Sequence, residues 1–173
     1  MSFLISVPFR VLGLTTVAFL AACSPEPKSP EAAGEPAPAV VVAEPAALPQ
    51  VDMANAQQFA ADGGEVTPLT FARDGSMTVS GAVTGDKAPV YAVPVAAGQT
   101  LAVTFQSDSD NLYVNISDAT DHSGAALHRG EFDGRTASLK AERDTTYIIA
   151  PFQPRATARR NETGDFTLTV ARQ

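Results

Sequence analysis

Residues 89–105 read PVYAVPVAAGQTLAVTF. Tyr91, Val93 and Val95 occupy alternate positions in the first half, and Leu101, Val103 and Phe105 do so in the second. A period of two is the side-chain period of a β-strand, so each half predicts a strand with one face turned inward. Ala97-Gly98-Gln99 lies between them and predicts a tight hairpin turn. Pro94 has no N–H to give a ladder, which predicts a sheet edge or a bulge at that point.

The same period runs through most of the chain on either side. VTPLTFA (66–72), SMTVSGAVT (76–84), NLYVNIS (111–117), ALHR (126–129), TASLKA (136–141), TYIIAPF (146–152) and DFTLTVA (165–171) are short, rich in β-branched or aromatic residues, and bounded by Gly, Asp or Asn. Tyr147 and Ile149, then Phe166, Leu168 and Val170, extend the inward set. Eight or nine such strands predict an all-β antiparallel sandwich, or a small barrel, over residues 51–173. Asp133-Gly134 predicts a second tight hairpin turn before TASLKA. Ahead of the first strand, Asp52 to Asp62 is Ala- and Gln-rich and predicts one or two helical turns, ended by Gly63 and Gly64.

Residues 24–50 have another character. They hold seven prolines, four glutamates and one lysine. Proline fixes φ and removes donors, so neither helix nor sheet propagates, and the composition predicts a disordered tether with polyproline II bias. At ~3.1 Å per residue its 27 residues reach at most about 80 Å. Upstream, residues 1–22 carry one charge, Arg10, and an apolar run from Val11 to Ala22. The run is too short for a membrane-crossing helix and suits the core of a secretory signal. Leu20-Ala21-Ala22-Cys23 resembles the lipobox of bacterial lipoproteins. That resemblance implies cleavage before Cys23, a lipid on its sulfur and amino group, and attachment to a membrane. Ser24, where retention at the inner membrane tends to use aspartate, implies the outer membrane facing the periplasm.

Composition removes several functions. The 173 residues carry 12 Lys+Arg against 19 Asp+Glu, a net charge of −7, which does not suit a nucleic-acid partner. One cysteine excludes an internal disulfide and a thiolate metal cage. His122 stands with Asp118, Asp121 and Ser123, but neighbours in a loop seldom face one another, so turn-forming polar residues are the reading there. His128 alternates with Leu127 and reads as a surface or half-buried strand residue. Asp108 and Asp110, within Ser107–Asn111, are weak candidates for a hard cation; they lack the glycine and glutamate of a calcium loop, and a hairpin turn with Asp or Asn in left-handed geometry is the simpler expectation. No acid–base pair marks an enzyme, and no cofactor is implied.

The remaining feature is PFQPRATARRNETGDFTLTV, residues 151–170. Arg155 and Arg159 are four apart, so one helical turn sets them side by side. Like charges so placed suit either a fully solvated site or one used by an anionic partner. Arg160 follows directly, and Glu162 is placed to neutralise one arginine. The run from Tyr147 through Arg155, Ala156, Ala158, Arg159, Arg160, Asn161 and Glu162 to Phe166-Thr167-Leu168 resembles the C-terminal half of the bacterial periplasmic inhibitors of goose-type lysozyme. It also resembles the wider group of pre-peptidase C-terminal-like β-sandwiches. Upstream, Ser80-Gly81, Tyr91, Gly98-Gln99 and Leu101 fit the same pattern, and the resemblance spans roughly residues 66–170. It implies a non-enzymatic function: Arg155 and Arg159, with Arg160 beside them, sit on a loop that enters the lysozyme cleft. Family members often carry tyrosines where this chain has Gly85-Asp86-Lys87-Ala88-Pro89-Val90, so a tyrosine contact from that loop is absent here. The alternative function is a general envelope module that binds another protein or a glycan.

Overall fold

The structure is a computed structural model and describes residues 47–60 and 64–173. Cys23, the signal segment and the tether up to residue 46 lie outside the described residues. Among the described residues, nine strands form two sheets: β1 (Val66–Pro68), β2 (Ser76–Thr84), β3 (Val90–Val95), β4 (Thr100–Ser107), β5 (Tyr113–Asp118), β6 (His128–Arg129), β7 (Thr136–Lys140), β8 (Thr145–Phe152) and β9 (Thr163–Arg172). One sheet has the order β1-β3-β8-β5-β6 and the other β2-β9-β4-β7. Every pairing is antiparallel except β1 with β3. No helix among the described residues is long and apolar enough to cross a membrane.

The core lies between the sheets. Tyr91, Val93, Val95, Leu101, Val103, Phe105, Tyr147, Ile149, Phe166, Leu168 and Val170 are all buried in it, as their alternation requires. Stacking of Phe105 on Phe166 (5.5 Å) and the edge of Tyr91 against Phe166 (6.5 Å) fix its centre. Outward positions of the four-stranded sheet are mostly hydroxyls. Thr78, Thr169, Thr104 and Thr136 share one row across all four strands.

The five-stranded sheet is covered on its outer face too. Helix α1 (Met53–Ala56) and the 3₁₀ turn Gln57–Phe59 pack on Val90, Ala92 and Ile148 through Ala56 and Phe59. Hence all six residues of β3 are buried. Asp52 caps α1 by accepting from the Asn55 N–H (3.1 Å) and amide Nδ2 (2.7 Å), bonds that hold its carboxyl below the usual range. Its own N–H donates to Thr146 Oγ1 (2.9 Å), tying the segment to β8.

Both hairpin expectations are corrected. The turn at Ala97-Gly98-Gln99 is tight, with Gly98 at φ 83° and the Gln99 N–H on the Ala96 carbonyl at 3.1 Å. It joins β3 to β4 across the two sheets, not within one. Alternation tells which side of a strand is buried; it does not tell which strand lies beside it. Here β3 is flanked by β1 and β8, and β4 by β9 and β7, so the two strands lie in different sheets with the core between them. Gln99 locks this crossing: Oε1 accepts from the Ala96 N–H (3.0 Å), and Nε2 donates to the Arg73 carbonyl and Asp74 Oδ1 (both 3.1 Å). Asp133-Gly134 likewise ends a helical turn, α2 (Gly130–Asp133), and passes the chain from β6 to β7 in the other sheet. The Ser107–Asn111 segment also crosses between sheets, and Asn161 (φ 53°) is the non-glycine residue in left-handed geometry among the described residues.

Pro94 sits in an inner strand without a bulge, since the β3–β8 register is continuous. Its other side is a local edge because β1 stops at Pro68, opposite Ala92. There the Pro94 carbonyl accepts from Arg172 Nη1 at 2.6 Å. Arg172 is buried at the end of β9, stacked over Phe71 (3.9 Å), and its Nη2 also donates to the carbonyls of Phe71 (2.6 Å) and Ala72 (3.3 Å).

Candidate functional site

Helix α3 (Arg155–Arg159) carries the predicted basic loop. Pro154 precedes it with an extended ψ, and its carbonyl accepts from the N–H groups of Thr157 and Ala158 (both 2.9 Å). Proline suits a helix start because the missing N–H would have no partner there. Asn161 turns the chain left-handed just past the last helical bonds and ends the helix. Thr157 is buried and pins the turn to the body.

The turn between β2 and β3 backs this loop. Gly85 has φ 61°, and its N–H donates to the Glu162 carbonyl at 3.0 Å. A Cβ at Gly85 would stand 2.9 Å from Asn161 Oδ1 and 3.2 Å from the Ala158 carbonyl, so the approach requires glycine. The arginines therefore project from a supported turn.

Arg155, Arg159 and Arg160 are all exposed. Arg160 is drawn aside: its Nε donates to Glu162 Oε1 and its Nη2 lies 3.4 Å from Thr157 Oγ1. Arg155 and Arg159 form no ion pair among the described residues. Two exposed guanidinium groups four residues apart on one helical turn can each hold a carboxylate in a bidentate, charge-assisted pair.

The other candidates are occupied or dispersed. Asp108 Oδ1 accepts from the Asp165 N–H (2.9 Å), while Asp110 is fully exposed, 4.0 Å from Arg135. No cluster of three metal-ligating side chains occurs among the described residues. His122 is more than a loop residue. Its Nε2 lies 3.1 Å from Asn55 Oδ1 and its ring 5.7 Å from Phe59, so the loop docks the N-terminal segment. His128 is buried, with Nε2 on the Gly134 carbonyl at 3.0 Å, which corrects the surface or half-buried expectation. Burial pushes the Asp118 carboxyl up, but bonds from the Thr120 N–H (2.9 Å), Thr120 Oγ1 (2.8 Å), Thr145 Oγ1 (2.9 Å) and Arg143 (2.8 Å) leave it below the usual range. Reasoning from sequence missed Gln153, a buried side chain next to α3 whose amide nitrogen and oxygen have no hydrogen-bond partner among the described residues.

Fold and loop together define a β-sandwich that presents a basic turn and shows no catalytic set among the described residues. Periplasmic inhibitors share its architecture. The PliG inhibitor of g-type lysozyme from Aeromonas hydrophila is 30% identical, covers 62% of this chain and 96% of its own, and superposes with a TM-score of 0.55. Salmonella Typhimurium PliG aligns at 19% identity over 64% of this chain and 99% of its own, with a TM-score of 0.49. The pre-peptidase C-terminal domain of Bacillus anthracis collagenase aligns at 16% over 64% and 96%, with a TM-score of 0.47. No family model and no curated protein matches the chain. The chain belongs to the PliG family of periplasmic lysozyme inhibitors.

Proposed function

We propose that this protein inhibits a goose-type lysozyme by placing Arg155 and Arg159 against the carboxylates of the enzyme's cleft, from a lipid-anchored position in the bacterial envelope. The observation that carries the reading is the pair of exposed arginines without ion-pair partners among the described residues, on a turn that the body supports. Inhibition needs occupancy, not turnover, and charge-assisted contacts in a closed cleft supply it. An acidic body steers encounter with a basic enzyme while the loop docks. Arg160, paired with Glu162, borders the contact. The anchor is the lipid on Cys23, with residues 24–50 as spacer, and the outer membrane is its site.

The test is a lysis assay with goose-type lysozyme. Truncating one side of an interface charge pair costs ~2–5 kcal/mol, so Arg155→Ala with Arg159→Ala weakens inhibition at least about a hundredfold. Lys140→Ala, exposed on a different strand, leaves inhibition within about threefold at physiological salt. Folding stays unchanged in both, because exposed substitutions away from packed groups move stability by ~0.5 kcal/mol or less. A double variant that inhibits as well as wild type refutes the site; a wild type that never inhibits refutes the function.

A further inference from the structure

Beside α3 lies a recess of about 270 Å³. Ala88, Phe152 and Ala158 give it apolar walls, and two residues of opposite charge, Asp86 and Arg155, border it. Gln153 lines it as well. That side chain is 7% exposed, and neither its Nε2 nor its Oε1 has a hydrogen-bond partner among the described residues. A buried carboxamide in that condition is a donor and an acceptor held ready, since each unmade bond costs ~1–3 kcal/mol.

We propose that the recess binds the acetamido group of an N-acetylated sugar. A secondary amide offers one N–H and one C=O, which match the acceptor and donor of the Gln153 carboxamide. Both amide atoms are covered, so binding requires the glutamine's terminal torsion, which is broad, to turn the amide toward the recess. The ligand's methyl group then meets the apolar walls, and ring hydroxyls reach Asp86 and Arg155 at the border. Charges of both signs there favour a neutral ligand over an ionic one. Pockets for drug-sized molecules run roughly 300–1,000 Å³, so this one suits a single sugar unit. A site built around a buried amide rejects an analogue that cannot pair with it. The proposal does not depend on enzyme inhibition.

The experiment is an NMR titration of the full chain, following the side-chain NH₂ signals of Gln153, with N-acetylglucosamine and its tetramer as probes and glucosamine and glucose as controls. Saturable shifts at Gln153 are expected with the acetylated sugars, at least tenfold weaker binding with either control, and loss of binding in Ala88→Phe, which fills the recess. Gln153→Leu keeps the volume and removes the amide; followed through the backbone amide signals of Ala88 and Ala158, which line the recess, it is expected to lose binding while its melting curve stays cooperative, and retained binding overturns the proposal. Absence of saturable shifts at Gln153 overturns the proposal. So does an equal response to glucosamine, or binding that survives Ala88→Phe. If goose-type lysozyme moves the Gln153 signals and acetylated sugars do not, the recess is a protein contact and the glycan assignment fails.

Discussion

Replacing Arg172 by methionine tests how the open end of the sandwich is closed. Three carbonyl oxygens converge on its guanidinium, two of them at 2.6 Å, with the Phe71 ring 3.9 Å away. Methionine keeps the length and apolar stem but donates nothing. The Pro94 carbonyl is the most deeply buried of the three and is left without its donor, at ~1–3 kcal/mol. The carbonyls of Phe71 and Ala72 lie nearer the surface and regain water. Loss of the stacked cation adds ~0.5–2 kcal/mol. The sum is a destabilisation of about 3 kcal/mol, or roughly 1.5 M in the urea midpoint at an m-value of about 2 kcal/mol/M. Equilibrium urea unfolding followed by circular dichroism reads it directly. Arg172→Lys falls between the two, because one ammonium cannot fork to Pro94 on one side and Phe71 on the other. A methionine variant within 0.5 kcal/mol of wild type at an unchanged m-value would refute the reasoning and make Arg172 a passenger at the strand end.

Cys23→Ala, which removes the one thiol of the chain, is expected to shift the protein from the membrane to the soluble or unprocessed fraction on cell fractionation; a processed, membrane-bound variant refutes the anchor. Asp118 has a lowered folded pKa, so its stabilisation is complete above the unfolded value of about 4 and is lost as pH falls through the folded value. Asp118→Asn should therefore flatten the acid limb of a urea-midpoint-against-pH curve below about pH 4 and lower stability by ~1–3 kcal/mol at pH 7. Gly81→Ala places a Cβ 2.8 Å from Phe166 Cζ, in a ring cluster held by Phe105 and Tyr91, and should cost ~1–3 kcal/mol in the same unfolding assay.

Where the sequence was legible, the reason was local. A buried face every second residue needs only the strand itself, so all the strand segments and the inward residues from Tyr91 to Val170 could be read without knowing their neighbours. On the basic loop the spacing gave only a conditional reading: a helical turn would set Arg155 beside Arg159 and Glu162 could neutralise one arginine; the structure has that helix, and the arginine paired is Arg160. Partnership was not legible. Whether the chain after Gly98 turns back beside β3 or crosses the core depends on β8 and β1 already filling both sides of it. Arg172 continues the inward series after Phe166, Leu168 and Val170, but its charge masked the alternation. The carbonyls that receive it come from residues 71, 72 and 94, so no local pattern announces them. His128 is buried because α2 folds the Gly134 carbonyl over it, and Gln153 because β8 ends beneath α3. Both are consequences of crossing between sheets.

The pairing of β2 with β9 has a kinetic meaning. Ser76 lies opposite Ala171, and β9 is an inner strand, bonded to β2 on one side and to β4 on the other. Until β9 is present, β2 has no neighbour in its sheet and the cluster around Phe166 has no centre. Closing so long a loop is entropically slow, and folds built from such distant pairings form on the slower end of the scale. Synthesis from the N-terminus thus releases β2 long before its one sheet neighbour, while β1, β3, β5, β6 and β8 can already pair with one another. The four-stranded sheet therefore completes last, when β9 enters between β2 and β4 and brings Phe166 into the core.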